Sequence, residues 1–393
     1  MDTIILKIYG RDTFRVQDKT LWVPELIKSR TYQDLTPSEQ QSVHPYLRHF
    51  VLRPKHQHFY RPKVEMFETL AKERKAVQYV LMITFSVPKL LFGDSLQEAT
   101  HTDKIKTIQA LKAGLEDVGV YVKSDVIESA RVAAVHFCKN VPLPKAIRMQ
   151  EVLDELMRVD ISKVVDVTST QHKQGGRVLN IYAGTIDRAF YDKVSDAMRP
   201  KNKRKDKWRI SPEREVIERY GLRQKEVFRY EYRIKKMQTV MREVNTLLGR
   251  DAKTPIVFSD LFIPDLCKSM VVNSWRVLIQ RPENQLALLG PSDKLGLLLH
   301  ILTKAKEHSS AHSLNNALTS YGLAQAIREH GAKEVRRVIF GIWSTDHSER
   351  LTRKMRTAAD FTSGLPYSNC IAFVDGELEK FTLITLALLE SGI

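Results

Sequence analysis

Residues Val227 to Ile234, VFRYEYRI, alternate between apolar or aromatic and charged side chains. Successive side chains of a strand point to opposite faces, so this octet requires a sheet with one apolar and one charged face. Buried parallel strands read as unbroken apolar runs, so the pattern predicts a half-exposed strand in an antiparallel sheet. Other segments supply partners. YVLMITF (79–85) is an apolar run stopped by Ser86, Val87 and Pro88, and RVAAVHF (131–137) and RVLNIYA (177–183) are β-like. TIILKIYG and DTFRVQDKTLWV give two more strands near residue 1.

Helices fall between these runs. DKIKTIQALKAGLEDV (103–118) carries apolar residues at 105, 108, 111 and 115, the spacing of an amphipathic helix, and a second helix is expected over about 145–158. In AFYDKVSDAM, β-type residues give way to helix formers. The polar, basic stretch 36–75, with four His, is expected to form a helix and loops. The fold class is therefore α+β: an antiparallel sheet with helices packed on it, followed by a smaller, mainly helical C-terminal domain.

The expected units are 1–248, a connecting segment 249–291 of weak pattern, and 292–393. The last is helical through DKLGLLLHILTKA, LNNALTSYGLAQAIREHG and SERLTRKMRTAAD, with a β-like interruption, CIAFVDG, near Ile371. Such a division suits 393 residues.

Charge narrows the function. Lys and Arg number 62 against 46 Asp and Glu, a net +16, which points to a polyanionic partner. The excess concentrates in RPKNKRKDKWR (199–209), seven cations with a single acid, Asp206, read as a mobile basic loop between two parts of the first domain. Three scattered cysteines, Cys138, Cys267 and Cys370, exclude a disulfide framework and a Cys-based zinc site and fit a reducing cytosol. No segment approaches the roughly 18 apolar residues of a membrane span, and the opening MDTIILKIYGRDTF does not read as a signal peptide. Without a glycine-rich loop between strand and helix, a Rossmann or P-loop nucleotide site is not expected. Gly-x-Ser-x-Gly and His-Glu-x-x-His are absent as well.

Four places remain for chemistry. Phe190-Tyr191-Asp192-Lys193 sets a tyrosine at a strand-to-helix transition with a cation two positions on. A phenol ionises near pH of about 10, so as a nucleophile it needs a cation or metal beside it; the plainer reading is a Tyr packed at a sheet edge. Arg229-x-Glu231-x-Arg233 puts three charges on one strand face, suiting either an ion-pair ladder or a Glu that binds a divalent cation while Arg holds phosphate. His136 is a lone His in an apolar strand, a core residue or a ligand. His56-Gln57-His58, in the Pro-broken and basic RPKHQHFYRPK, reads as a solvated loop facing DNA.

Taken in order, ITFSVPKLLFG (83–93), RVAAVHFCKNV (131–141), AFYDKVSD (189–196) and VFRYEYRIK (227–235) resemble the phage and plasmid gene II/X family of replication initiators. The likeness extends through SLNNALTSYGLAQAIREHGAKEV, HSERLTRKM and LPYSNCIAFVD, from about residue 80 to about 380. It implies a site-specific DNA nickase and ligase that starts rolling-circle replication, with Tyr191 as nucleophile, joined to the 5′ phosphate, and Lys193 as its cationic neighbour. Mg²⁺ or Mn²⁺ is implied at Glu231 and His136, although Ala134 stands where an acidic residue is expected two positions earlier. Lys89, Arg229, Arg233, Lys201, Lys203, Arg204, Lys205 and Lys207 are expected to hold DNA. Origin DNA and a host helicase, polymerase and single-strand-binding protein are the implied partners, in bacterial cytoplasm, with no nucleotide cofactor. The alternative is a non-catalytic basic protein that binds an origin or regulates transcription.

Overall fold

The computed structural model describes residues 1–17, 22–24, 46–52, 60–70, 77–160, 169–173, 178–199, 212–290, 293–307, 313–343 and 347–391. The chain is α+β. Its strands are β1 (Thr3–Tyr9), β2 (Phe14–Val16), β3 (Trp22–Pro24), β4 (Tyr46–Leu52), β5 (Lys63–Leu70), β6 (Val77–Ser86), β7 (Val120–Val122), β8 (Arg131–Pro142), β9 (Ser169–Lys173), β10 (Val178–Ala183), β11 (Ile186–Asp192) and β12 (Val227–Ile234). Ten form one sheet in the order β3-β4-β5-β6-β1-β8-β12-β11-β10-β9, every neighbouring pair antiparallel, and β2 pairs with β7 apart from it.

The middle of this sheet is β1-β8-β12-β11, so the charged octet lies centrally with strands on both sides. Its apolar face presents Phe228, Tyr230, Tyr232 and Ile234, all buried. Tyr230 stacks on Phe190 of β11 with centroids 4.9 Å apart. Trp275, from the helix Leu266–Ile279, meets Phe190, Phe228 and Tyr230 at 6.5, 6.4 and 5.9 Å. The helices Met149–Met157, Met237–Leu248 and Asn369–Lys380 cover the rest of this face through Leu153, Val240, Val244, Ile371 and Val374.

Several sequence expectations change. Within 36–75 the described residues hold two strands, β4 and β5, which widen the sheet. Polar composition hid an alternation that pairing with β6 makes favourable: Val64 is buried between Lys63 and Glu65, which bond to each other at 2.9 Å. The stretch 249–291, read as a connection, contributes the helix that carries Trp275. CIAFVDG is helical, not β-like. Cys370, Ile371, Val374 and Leu378 fall at the 3–4 spacing of a helix face and bury together, which outweighs the β-branched residues.

A second apolar cluster runs from Leu286 to Phe361. It is built from helices Lys294–Glu307, Ser313–His330, Ala332–Trp343 and Ser348–Phe361. Arg336, buried, ties it to the sheet side by reaching Glu283 at 3.1 Å and Asp160 at 3.5 Å. The chain then returns, so that the helix Asn369–Lys380 packs in the sheet's own core. Among the described residues no helix is long and apolar enough to cross a membrane.

Trp275 fills the junction of both sheet strands and the returning helix, donating from Nε1 to Asp375 at 2.9 Å. Trp275→Ala is expected to cost about 3–5 kcal/mol in urea unfolding, and Trp275→Phe, which keeps most of the ring, far less. A loss under about 1 kcal/mol for the alanine variant would show that the aromatic cluster does not hold the layers together.

Candidate active site

β11 is positioned by its ends. At one end Gly184, in the left-handed region at φ 58°, makes the tight turn from β10. At the other, Asp192 stops the strand and caps the helix Lys193–Met198, accepting from the N–H of Val194 at 3.1 Å and of Ser195 at 3.3 Å. It also accepts from Val227 N at 3.1 Å, locking β11 to the start of β12. Tyr191 is therefore held opposite Arg229, at the strand-to-helix transition.

The charged face of β12 is not half-exposed as expected. Arg229 and Glu231 are 1% and 3% exposed. Burial is tolerated because the charges satisfy one another. Glu231 Oε1 accepts from the Tyr191 hydroxyl at 2.6 Å and from Arg229 Nε at 2.6 Å, while Oε2 accepts from Arg233 Nε at 2.6 Å. Arg229 goes on to Asp2 Oδ2 at 2.6 Å, the Ser95 carbonyl at 3.0 Å and Asn140 Oδ1 at 3.1 Å. Asp2 also accepts from the Ser86 hydroxyl.

Electrostatics follow from this packing. Burial alone pushes the Glu231 carboxyl up, but the guanidiniums of Arg229 and Arg233 overcome it and hold the group well below the carboxylate range. Burial, aided by the Glu231 charge, pushes the Tyr191 phenol well above its ordinary value, so the resting group is a neutral hydrogen-bond donor. His136 lies across from Arg233 on β8, and burial lowers its pKa against the pull of Glu231. Cys138, also on β8, is pushed up to about 12 by burial.

Lys193 does not meet the phenol. Its ammonium bonds Glu213 at 3.1 Å, in the helix Pro212–Arg219, where Lys89 arrives at 3.3 Å and the Ser95 hydroxyl also donates. The cation that shares an oxygen with Tyr191 is Arg229. Ser95 joins the two clusters, since its carbonyl serves Arg229 and its hydroxyl Glu213. The structure thus brings Tyr191, Glu231, Arg229, Arg233 and His136 onto three adjacent strands and sets Lys193 and Lys89 next to them. Lys201, Lys203, Arg204, Lys205 and Lys207, with His56 and His58, lie outside the described residues.

Arg229 is too enclosed to face DNA, so of the two arginines only Arg233, its side chain 26% exposed, reaches the surface. In this arrangement the phenol and both guanidiniums occupy the Glu231 carboxylate, with His136 on the neighbouring strand β8. Among the described residues no group of three or more His, Cys, Asp or Glu is gathered for a metal ion. Sequence reading missed Asp2, Ser95, Asn140 and Glu213. Asn140 had a signal, since it shares its parity on β8 with His136; the others arrive from separate elements with none. No protein-family model, curated protein or solved structure matches the chain.

The Glu213 cluster has a measurable pH signature. Burial raises this carboxyl, but Lys193 and Lys89 bring it from 4.5 down to about 2. A depressed carboxylate contributes stability that is complete above its unfolded pKa and lost as pH falls toward the folded one, here between about 4.5 and about 2. The shift corresponds to on the order of 3 kcal/mol. Glu213→Gln should be less stable than the parent at pH 7, and the gap should narrow as pH drops below about 4.5. A gap that stays constant down to pH of about 3 would exclude this linkage.

Proposed function

We propose that the chain is a rolling-circle DNA replication initiator, a site-specific nickase and strand-joining enzyme of the gene II/X kind. One observation carries the reading. The four segments that resemble that family, spread from residue 83 to 235, meet at one place: Ser86 on Asp2, Asp2 on Arg229, Asn140 on Arg229, and Tyr191 on Glu231. The net charge of +16 suits a DNA substrate.

In this reading the Tyr191 oxygen attacks a backbone phosphorus, a new O–P bond forms to the 5′ side, and the bond to the 3′ oxygen breaks. The phenolic proton ends on that 3′ oxygen. One phosphodiester replaces another, so the step is reversible and the same tyrosine later rejoins the displaced strand. The phenol is neutral at rest, so its proton must leave as attack begins. Glu231, 2.6 Å away, is the acceptor in reach. Two guanidiniums make it a weak base, and they are not equally held: Arg229 is anchored on four groups, whereas among the described residues Arg233 bonds Glu231 alone. A substrate phosphate competes for Arg233, and as that cation shifts, Glu231 gains basicity beside the proton it receives.

Host helicase, polymerase and single-strand-binding protein, acting in bacterial cytoplasm, extend the 3′ end in this proposal. The second reading, a non-catalytic origin-binding protein, keeps the charge and leaves Tyr191 structural. Supercoiled origin DNA incubated with the protein and Mg²⁺ separates the two. Wild type is expected to yield open circles, and Tyr191→Phe to retain DNA binding while losing nicking by at least about 10³-fold. Comparable nicking by the phenylalanine variant would make Tyr191 a structural residue.

A further inference from the structure

The mainly helical C-terminal region has no part in the chemistry above, yet one of its helices carries a distinct surface. Ser348–Phe361, SERLTRKMRTAADF, has four cations and two acids. Met355, Ala358, Ala359 and Phe361 bury it in the bundle. Arg350, Arg353 and Arg356 are exposed on the other side.

Several cations around these three are paired. Arg337 pairs with Glu334, Lys304 with Glu307, Lys294 approaches Glu329, buried Arg336 holds Glu283, and Lys354 donates to Asn316 at 2.9 Å. For Arg350, Arg353 and Arg356 no ion pair forms with any described residue, although Glu349 precedes Arg353 by four positions and Asp360 follows Arg356 by four. A helical i,i+4 pair was within reach and was not made. Among the described residues these guanidiniums are thus exposed and unneutralised by a neighbouring carboxylate.

Resting on the nickase reading, we propose that this arginine stripe is a contact surface for the phosphate backbone of duplex DNA, separate from the site around Tyr191. Spaced three residues apart, the side chains rise about 4.5 Å per step and span about 9 Å along the axis. Three consecutive phosphates of one strand, two intervals of roughly 3.4 Å of rise, span about 7 Å, within reach of the long side chains on that stripe of about 9 Å. Guanidiniums give charge-assisted, often paired hydrogen bonds to phosphate. Such contacts set register and orientation without reading bases. The helical region would thereby hold the origin duplex while the sheet acts on one strand.

The test uses the full chain with Arg350, Arg353 and Arg356 replaced together by Ala, and measures fluorescence anisotropy on origin and random duplexes across a KCl series. Each phosphate neutralised contributes roughly 0.9 to the slope of log affinity against log salt, so the variant should flatten that slope by about 2 to 3 on both sequences. The matching triple Lys variant should recover most of it, and unchanged thermal unfolding should accompany both. An unchanged slope overturns the proposal, as does a flattening confined to the origin duplex, which would assign the stripe to base readout. Nicking by the wild type is read alongside. A flattened slope with no nicking by the wild type retains this surface and removes the nickase reading, whereas wild-type nicking with an unchanged slope does the reverse.

Discussion

Glu231 is the group on which the centre of this molecule depends. It lies on an interior strand of a ten-stranded sheet, and both oxygens are bonded by Tyr191, Arg229 and Arg233. A carboxylate buried alone would be prohibitive, and so would Arg229 with its guanidinium out of water. Together with Asp2 they form two positive and two negative charges, a balance that makes burial acceptable. Removing one member of such a set leaves an uncompensated charge at about 3–5 kcal/mol. That requirement reaches far along the chain, since Asp2, Ser95, Asn140 and Arg229 must all arrive for the carboxylate and guanidinium to be satisfied.

In the proposed reading, the same balance keeps the tyrosine inert at rest. The phenol is enclosed, protonated and pointed at a carboxylate whose basicity two guanidiniums suppress. Exposure is unequal, and this sets the direction of opening. Arg229 is locked inside, whereas Arg233 reaches the surface, where on the proposed reading a phosphate would meet it first. In the proposed chemistry, substrate arrival itself releases the brake on Glu231.

Much of this architecture was legible in the residues, and the failures share a cause. VFRYEYRI identified a strand with one charged and one apolar face, and the helices 104–116 and 149–157 follow their apolar spacing, except that Ile105 is exposed. Alternation reports which face a side chain is on, not whether that face meets water, so charges satisfied by Asp2 and by the Tyr191 hydroxyl read as exposed when they are buried. Lys193 stands two residues from Tyr191, but past a capped strand end the backbone turns into a helix, and the ammonium goes to Glu213. Glu213, Ser95 and Asp2 enter through tertiary contacts 20 to 227 residues long, for which a single sequence has no signal. β5 and the helix 369–380 were misread because local composition competed with pairing and burial that only the whole fold supplies.

The central claim is that the tyrosine held by Glu231 becomes the covalent anchor of the DNA. The direct measurement is peptide mapping by mass spectrometry of the wild-type protein after reaction with supercoiled origin DNA and Mg²⁺, followed by nuclease trimming of the attached strand. The account predicts a nucleotide mass on the peptide containing Tyr191 and on no other tyrosine peptide. Nicked circles without an adduct, or an adduct on a different tyrosine, would contradict it.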